Sequence, residues 1–288
     1  MSGASSGPAE FRVRPLAKRI RSLAALAGLG AGLAGYAWFE AGWVRLETEA
    51  VRLRRLPPEL EGLRIAHLSD FHLGVPSRGV RAVERAVAWV EERQPDLTLI
   101  SGDLLSRPRG EEALRQLLER LPRCYAVLGN HDLAISRDPF SRAVELAELA
   151  PARLLVDDAE TIELRGRKVQ IAGVDPRSYR LGRAKPERLA DPDADLRILV
   201  CHFPRVIDFL EPGVFDLVLA GHLHAGQICI PHPGGKLRLA HVRWTYVEGI
   251  YERSGGLLHL SAGLGTTFVP FRFFARPAAY ELALHSTS

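Results

Sequence analysis

The chain has 288 residues, 47% hydrophobic and 25% charged, which suits a globular protein of one large domain plus a tail, or two small domains. Its net charge of +4 is weighted toward the first sixty positions (Arg12, Arg14, Lys18, Arg19, Arg21, then Arg45, Arg52, Arg54 and Arg55). That pattern belongs to a membrane-flanking segment rather than a nucleic-acid face, and no recognition-helix or RNA-binding motif is present. Cys124, Cys201 and Cys229 are odd in number and lack CxxC spacing, so neither a disulfide framework nor a zinc finger is indicated; they read as small core residues.

Residues 1–22 begin with a small, polar stretch, Met1 to Glu10, expected to be disordered, and continue as a basic leader. Residues 23–39 are apolar and glycine-rich. At about 1.5 Å per residue this run is near the lower limit for crossing a bilayer, and Trp38 and Trp43 stand where an interfacial belt would. A basic leader before an apolar run is either an uncleaved anchor or an export signal. The alternative, a buried N-terminal helix, is disfavoured by the lack of an amphipathic polar face. Within the run, Gly30-Ala31-Gly32-Leu33-Ala34-Gly35 matches the dinucleotide fingerprint, but no strand precedes it and no βαβ unit surrounds it, so that reading is rejected. Residues 40–61 read as a linker carrying a short strand, closed by Pro57-Pro58, and residues 62–288 as the main domain.

From Leu63 strands alternate with helices. Strands are expected at Leu63 to Ser69, Leu97 to Ser101 and Cys124 to Leu128. The helices between them run from Val80 to about Glu92 (Val80, Val83, Val87 and Val90 on one face), Glu111 to Leu121, and Phe140 to Leu149. The alternation argues for parallel strands joined by crossovers, with ligands at the strands' C-terminal ends. Beyond Pro151 the expected strands are shorter: Thr161 to Leu164 and Lys168 to Ala172. Asp175 to Asp195 reads as a loop with a short helix, whose basic residues (Arg177, Arg180, Arg183, Lys185) are largely balanced by acids. Then come a strand at Arg197 to Cys201, a helix at Val206 to Leu210, a strand at Phe215 to Ala220, and strands at Leu257 to Ser261 and Tyr280 to Leu284.

The chemistry-bearing residues gather just past these strands. The first is followed by Asp70 and His72, the second by Asp103, and the third by Asn130, His131 and Asp132. The later ones are followed by His202, then by His222 and His224. A single Asp at a strand end is commonly only a turn residue, and two histidines alone prove little. The joint pattern of ligand-type side chains is harder to reach by chance, because strand ends are where an α/β sheet assembles its site.

These blocks carry a resemblance. LSDFHLG (68–74), SGDLL (101–105), GNHD (129–132), CHFP (201–204) and GHLHAGQ (221–227) resemble, in order, the five signature blocks of the calcineurin-like metallophosphoesterases. The C-terminal GLGTTFVPFRFFARPAAYEL with the N-terminal segment resembles the bacterial membrane-associated phosphodiesterase branch. The resemblance implies an α/β fold, a four-layer αββα sandwich preceded by the anchor or signal-like segment. It implies two divalent metal ions. Asp70, His72 and His224 would hold the first, Asn130, His202 and His222 the second, and Asp103 would bridge both. The mixed oxygen and nitrogen donors suit manganese, iron or zinc. A hydroxide shared by the metals would attack phosphorus in line, and His131 would stabilise charge or protonate the leaving group.

The expected function is therefore a metal-dependent phosphoric ester hydrolase of the inner or plasma membrane, acting on a phosphodiester or pyrophosphate, with no specific nucleic-acid recognition. The basic flank before Leu23 slightly favours an external domain. A lipid-linked substrate, such as a UDP-2,3-diacylglucosamine-type pyrophosphate, and a non-catalytic scaffold of the same fold are the alternatives. One departure stands out. Protein phosphatases of the superfamily carry a GDYVDRG-type block whose aspartate orients the catalytic histidine; here the block is SGDLLSRPRG, which argues against a phosphoprotein substrate and leaves the partner of His131 unassigned. His67 is expected in the core. His232, His241, His259 and His285 fall outside the blocks and are expected to play no part in the site.

Overall fold

The computed structural model describes residues 14–144, 146, 148–240, 242, 244 and 246–287. The stretch Met1 to Glu10 and His241 lie outside the described residues.

A long helix, α1 (Arg14–Glu40), leads into β1 (Arg45–Leu53), β2 (Arg64–Leu68), α2 (Gly79–Arg93), β3 (Leu97–Ser101), α3 (Glu111–Leu118), β4 (Cys124–Val127) and the two-residue β5 (Arg153–Leu154). The second half runs through β6 (Asp158–Leu164), β7 (Arg167–Val174), α4 (Pro176–Arg180), β8 (Leu196–Cys201), β9 (Leu217–Ala220), the hairpin β10 (Cys229–His232) and β11 (Gly235–Arg238), then β12 (Gly249–Arg253), β13 (Gly256–Leu260) and β14 (Ala278–Ser286). Two six-stranded sheets result, ordered β1-β14-β2-β3-β4-β5 and β12-β13-β9-β8-β7-β6, with the β10-β11 hairpin beside them.

The sheets pack face to face, as the alternation of side chains along each strand requires. Ile65, Leu97 and Leu99 of one sheet meet Ile171, Ile198, Val200, Leu217 and Leu219 of the other in a shared core. The opposite faces of the same strands, Ala66, Leu68 and Ile100, pack under Val83 and Val87 of α2 and Leu114 and Leu118 of α3. The outer face of the second sheet (Ala172, Leu199, Val218) is covered by Phe203, Val206, Ile207 and Tyr246. The order of layers is helix, sheet, sheet, and then short helical turns. Parallel pairings β2–β3, β3–β4, β7–β8 and β8–β9 put their C-terminal ends along one edge.

Three expectations shift. The helix at Phe140 to Leu149 is absent among the described residues there. The N–H of Arg142 donates instead to Ser106 O (2.9 Å) and that of Val144 to Asp132 O (2.8 Å), so a tertiary partner takes the Val144 donor that a helix would send back to Phe140 O. The helix at Val206 to Leu210 is a 3₁₀ turn, Pro204–Asp208. The short strand within residues 40–61 is nine residues long and pairs in parallel with β14 along its whole length, Arg45 opposite Ala278 through Leu53 opposite Ser286. The segment preceding residue 62 is thus an edge of the first sheet.

Helix α1 carries one stretch, Ile20–Glu40, that is long and apolar enough to cross a membrane. Within it only Ala37 and Glu40 are buried against the rest of the chain.

Candidate metal centre

Each residue singled out above lies on a loop that leaves the C-terminal end of a strand: β2 for Asp70 and His72, β3 for Asp103, β4 for Asn130 and His131, β8 for His202, and β9 for His222 and His224. Five of them have left-handed backbone: Asp70 (φ 54°), His72 (49°), Asp103 (55°), His222 (80°) and His224 (50°). Asp and His tolerate this region better than most residues, yet it persists only where surroundings enforce it. The loops enforce it on one another. Asp70 N–H donates to Gly102 O (2.9 Å) and His72 N–H to Asp103 O (3.0 Å). His222 N–H donates to the Asp70 carboxylate (3.1 Å) and His131 N–H to Asp103 Oδ1 (2.8 Å). Two glycines in the motif blocks make room for the carboxylates: a Cβ on Gly129 would lie 2.0 Å from Asp103 Oδ1, and one on Gly221 2.5 Å from Asp70 Oδ2.

The side chains converge in two groups that share Asp103. In one, the ligand-type atoms of Asp70, His72, Asp103 and His224 lie within 4.8 Å of each other, and in the other so do those of Asp103, His202 and His222. His72 Nε2 faces His224 Nε2 at 3.1 Å, and Asp70 Oδ1 stands 3.3 Å from His224 Nε2. Asp103 Oδ2 is 3.5 Å from His72 Nε2 and 3.2 Å from His202 Nε2. Asn130 Oδ1 is 3.0 Å from His202 Nε2, which also lies 3.1 Å from His222 Nδ1.

Charge and burial fit this donor set to cations. Burial, with help from His131, pushes His72 down to about 3. Burial, then His72 and Arg272, holds His224 well below the usual imidazole range. Two neutral rings therefore turn their Nε2 atoms toward one point beside two carboxylates, an arrangement a divalent ion resolves. Burial lifts Asp70 to about 6. It would lift Asp103 as well, but the imidazoles of His202 and His131 outweigh it and hold that carboxyl well below its ordinary value. Burial works against a charge on His202, yet Asp103 overcomes it and raises the ring to about 9.

Four residues absent from the sequence reading complete the site. Asp138 Oδ2 is 3.6 Å from His131 Nδ1 and Ser141 Oγ is 2.5 Å from the same nitrogen. These supply the orienting partners that the SGDLL block lacks. Their signal was proximity in sequence, seven and ten residues beyond His131, hidden because residues 140–149 read as a helix. Asp138 is fixed by N–H donors of Phe140 (2.8 Å) and Phe268 (3.0 Å) and by Thr267 Oγ1 (2.9 Å). Thr267 Oγ1 also lies 3.3 Å from His131 Nε2. Arg272, fully buried, donates to Gly265 O (2.8 Å), Ala262 O (3.0 Å) and Ala275 O (3.0 Å), and its Nη2 is 3.2 Å from His224 Nδ1. Nothing in a lone arginine of an aromatic run announces that role.

The remaining histidines keep apart. His67 is a core residue, Nε2 2.9 Å from Ser101 Oγ and Nδ1 2.7 Å from His259 Nδ1. His259 is buried between the sheets, and His285 pairs with Glu61 at the opposite end (2.6 Å). His232, on β10, accepts from Gly234 N–H (3.1 Å).

A buried double cluster of Asp, Asn and His at one edge of paired sheets defines a metal-dependent phosphoester hydrolase, and the chain belongs to the calcineurin-like phosphoesterase family, which matches residues 63–226. That family's dinuclear divalent chemistry is the chemistry this donor set accommodates. The chain is 27% identical over 251 residues to the metallophosphoesterase YkoQ of Bacillus subtilis, covering 84% of this chain and 90% of YkoQ. It is 25% identical over 228 residues to phosphodiesterase YaeI of Escherichia coli, covering 77% of this chain and 82% of YaeI. A Danio rerio transmembrane protein with metallophosphoesterase domain is 29% identical over 252 residues, 81% of this chain and 56% of that protein.

Proposed function

We propose that this chain is a membrane-anchored, dinuclear-metal phosphodiesterase or pyrophosphate hydrolase. The observation that carries the reading is the position of Asp103, whose single carboxylate oxygen stands within 3.5 Å of His72 in one cluster and 3.2 Å of His202 in the other. Asp70, His72 and His224 would hold one ion, Asn130, His202 and His222 the other, with Asp103 common to both. Bound there, two divalent ions supply Lewis acidity that makes water a nucleophile near neutral pH and offsets charge on the phosphoryl oxygens.

The chain's own residues do the rest. His131, tied through its backbone N–H to Asp103 (2.8 Å), presents its ring at the rim of the double cluster and holds a proton for the departing alcohol or phosphate. Asp138 and Ser141 fix the ring through Nδ1, which leaves Nε2 turned toward Asp103 (4.0 Å). Arg272 steadies His224 from behind.

The diesterase reading is supported by the similarity to YaeI, and the anchor by Ile20–Glu40. Anchoring makes a lipid-linked pyrophosphate the favoured physiological substrate, with the basic flank before residue 23 favouring an external domain. The full set of ligand-type side chains disfavours a scaffold role. The test is turnover of bis(p-nitrophenyl) phosphate against p-nitrophenyl phosphate by the full chain supplied with manganese, iron or zinc. Preference for the diester is expected; preference for the monoester overturns the assignment.

A further inference from the structure

The last turn of α1 is built into the loop that walls the metal centre. Glu40, buried, accepts from the N–H groups of Phe274 (3.0 Å) and Ala275 (2.7 Å), and Arg272 N–H donates to Ala37 O (3.1 Å). Rings pack across the same joint: Tyr36 meets Phe273 at 5.7 Å and Phe274 at 5.9 Å, and Trp38 meets Phe271 at 6.1 Å. The other end of this loop reaches the site, where Phe268 is 6.5 Å from the His131 ring and Thr267 touches that ring. So few residues separate the helix end from the reacting centre that the helix fixes the centre's height.

The outer surface of this joint is apolar. Phe268 is 49% exposed, Val269 43% and Phe274 37%, and beside them stand exposed Phe39 and Trp43 of the helix end. On the neighbouring hairpin, Ile230 and Leu237 pair across the strands and are also exposed. Water is a poor neighbour for so many exposed apolar side chains gathered on one loop, the helix end and the adjoining hairpin. Cations ring it: Arg276 lies 3.8 Å over the Trp43 ring, Arg78 lies 5.6 Å over Phe39, and Lys236 reaches Phe274 O at 2.8 Å. Aromatic side chains bordered by Lys and Arg are the composition of a membrane–water boundary.

Helix length sets the depth. The 21 residues of Ile20–Glu40 rise about 31 Å, matching a hydrocarbon core of about 30 Å, so Glu40 comes out at one boundary. Tyr36 is four residues lower, about 6 Å beneath that end. The loop rings packed on Tyr36 therefore lie at the depth where interfacial aromatic segments sit, about 5–10 Å into the headgroup and acyl boundary.

We infer that loop 268–276, with the end of α1 and the β10–β11 hairpin, is a bilayer-docking platform that holds the mouth of the metal centre in the headgroup layer. The inference rests on the anchoring reading and adds to it a second, loop-borne contact with lipid. A phosphodiester carried in the headgroup layer then reaches the centre without leaving the membrane.

Depth-dependent quenching tests it. The full chain is reconstituted in vesicles of phosphatidylcholine with phosphatidylglycerol, carrying a fluorophore on a single introduced cysteine at Leu29, Val269, Leu237 or Glu163; native Cys124, Cys201 and Cys229 are buried and stay unlabelled. Lipids spin-labelled at the headgroup or deep in the acyl chain are the probes. At Leu29 the deep probe should quench more. At Val269 and Leu237 the headgroup probe should quench more than the deep one, the reverse of Leu29. Glu163, on the strand edge remote from the site, should be untouched. Leu29 quenched with Val269 and Leu237 silent refutes the platform and leaves the anchor standing. Silence at Leu29 sinks the anchor and the platform together. Val269 labels that approach one another within a pair of chains instead of meeting lipid assign the patch to a second copy and also refute it.

Discussion

Asp138→Asn isolates the residue that the structure adds beside His131, the proposed proton donor. The carboxylate lies 3.6 Å from His131 Nδ1 with both side chains buried. Two unit charges at that separation interact by about 5 kcal/mol at an effective dielectric of about 20, which is a ceiling. Asp138 shares its charge with Phe140 N–H, Phe268 N–H and Thr267 Oγ1, at 2.8–3.0 Å, and Ser141 still contacts the ring. A third to a half of the ceiling, about 1.5–2.5 kcal/mol, is the expected loss in keeping the ring protonated without it, or roughly 10- to 70-fold in kcat at a pH where the protonated fraction limits the rate. The amide keeps the shape and one acceptor, so KM for bis(p-nitrophenyl) phosphate should stay within about twofold, because the ring serves the departing group rather than substrate binding. Metal content, measured by elemental analysis of the purified variant, should not change, since Asp138 belongs to neither donor cluster. A kcat within about twofold of the parent would refute the role. A fall in kcat accompanied by metal loss would make Asp138 a structural support instead.

Other predictions divide the site by function. Asp103→Ala should abolish turnover and bound metal together, whereas His131→Ala should keep its metals and lose about 10²–10⁴ in kcat; equal metal loss in both variants removes the division of roles. Metal binding should release protons. His202, raised to about 9 by Asp103 against the effect of burial, is charged at neutral pH in the metal-free chain and must shed its proton to become a ligand. Affinity should therefore climb as pH rises toward 9. It should fall more steeply below about 6, where Asp70, lifted by burial, also takes up a proton. Calorimetry at pH 7 in buffers of different ionisation enthalpy reads this directly, and an absence of proton release would show that His202 is already neutral in the metal-free chain. Glu40→Ala strips the acceptor from Phe274 N–H and Ala275 N–H, which should cost about 2–4 kcal/mol. The melting temperature in detergent should drop by several degrees, and a parental value would show that the helix end is not part of the folded unit.

The strands were legible in the sequence wherever both faces are covered. Leu97 to Ser101 and Leu217 to Ala220 are buried at every position, and such strands read as unbroken apolar runs. The nine-residue β1 was less legible because its first half alternates half-buried and exposed positions, and its partner β14 lies at the other end of the chain. Residues 140–149 misled for a related reason. Val144, Leu146 and Leu149 are all buried, so their apolar character is real, but the N–H groups of Arg142 and Val144 are claimed by Ser106 O and Asp132 O. Periodicity reports burial; it does not report which acceptor an N–H finds.

The same distinction separates the two kinds of site residue. The ligand-type residues are legible because each sits within a few positions of a strand end, in a block whose glycine admits a carboxylate at otherwise impossible range: Gly129 against Asp103, Gly221 against Asp70. Those contacts cross the chain, but each ligand and each glycine is fixed in its own short block at a strand end, so residue type and spacing record them. Asp138, Thr267 and Arg272 are set by contacts between loops far apart in the chain, and Ser141 by a fold-back of the stretch after His131 that the helical reading hid. Asp138 meets Thr267 across 129 positions and Arg272 meets His224 across 48. Their identities alone are those of ordinary loop and core residues. It follows that the donor cage can stay intact while the supports around it change, and that variation in how His131 is oriented, rather than in the metal ligands, is the freer route by which this arrangement of side chains can be retuned.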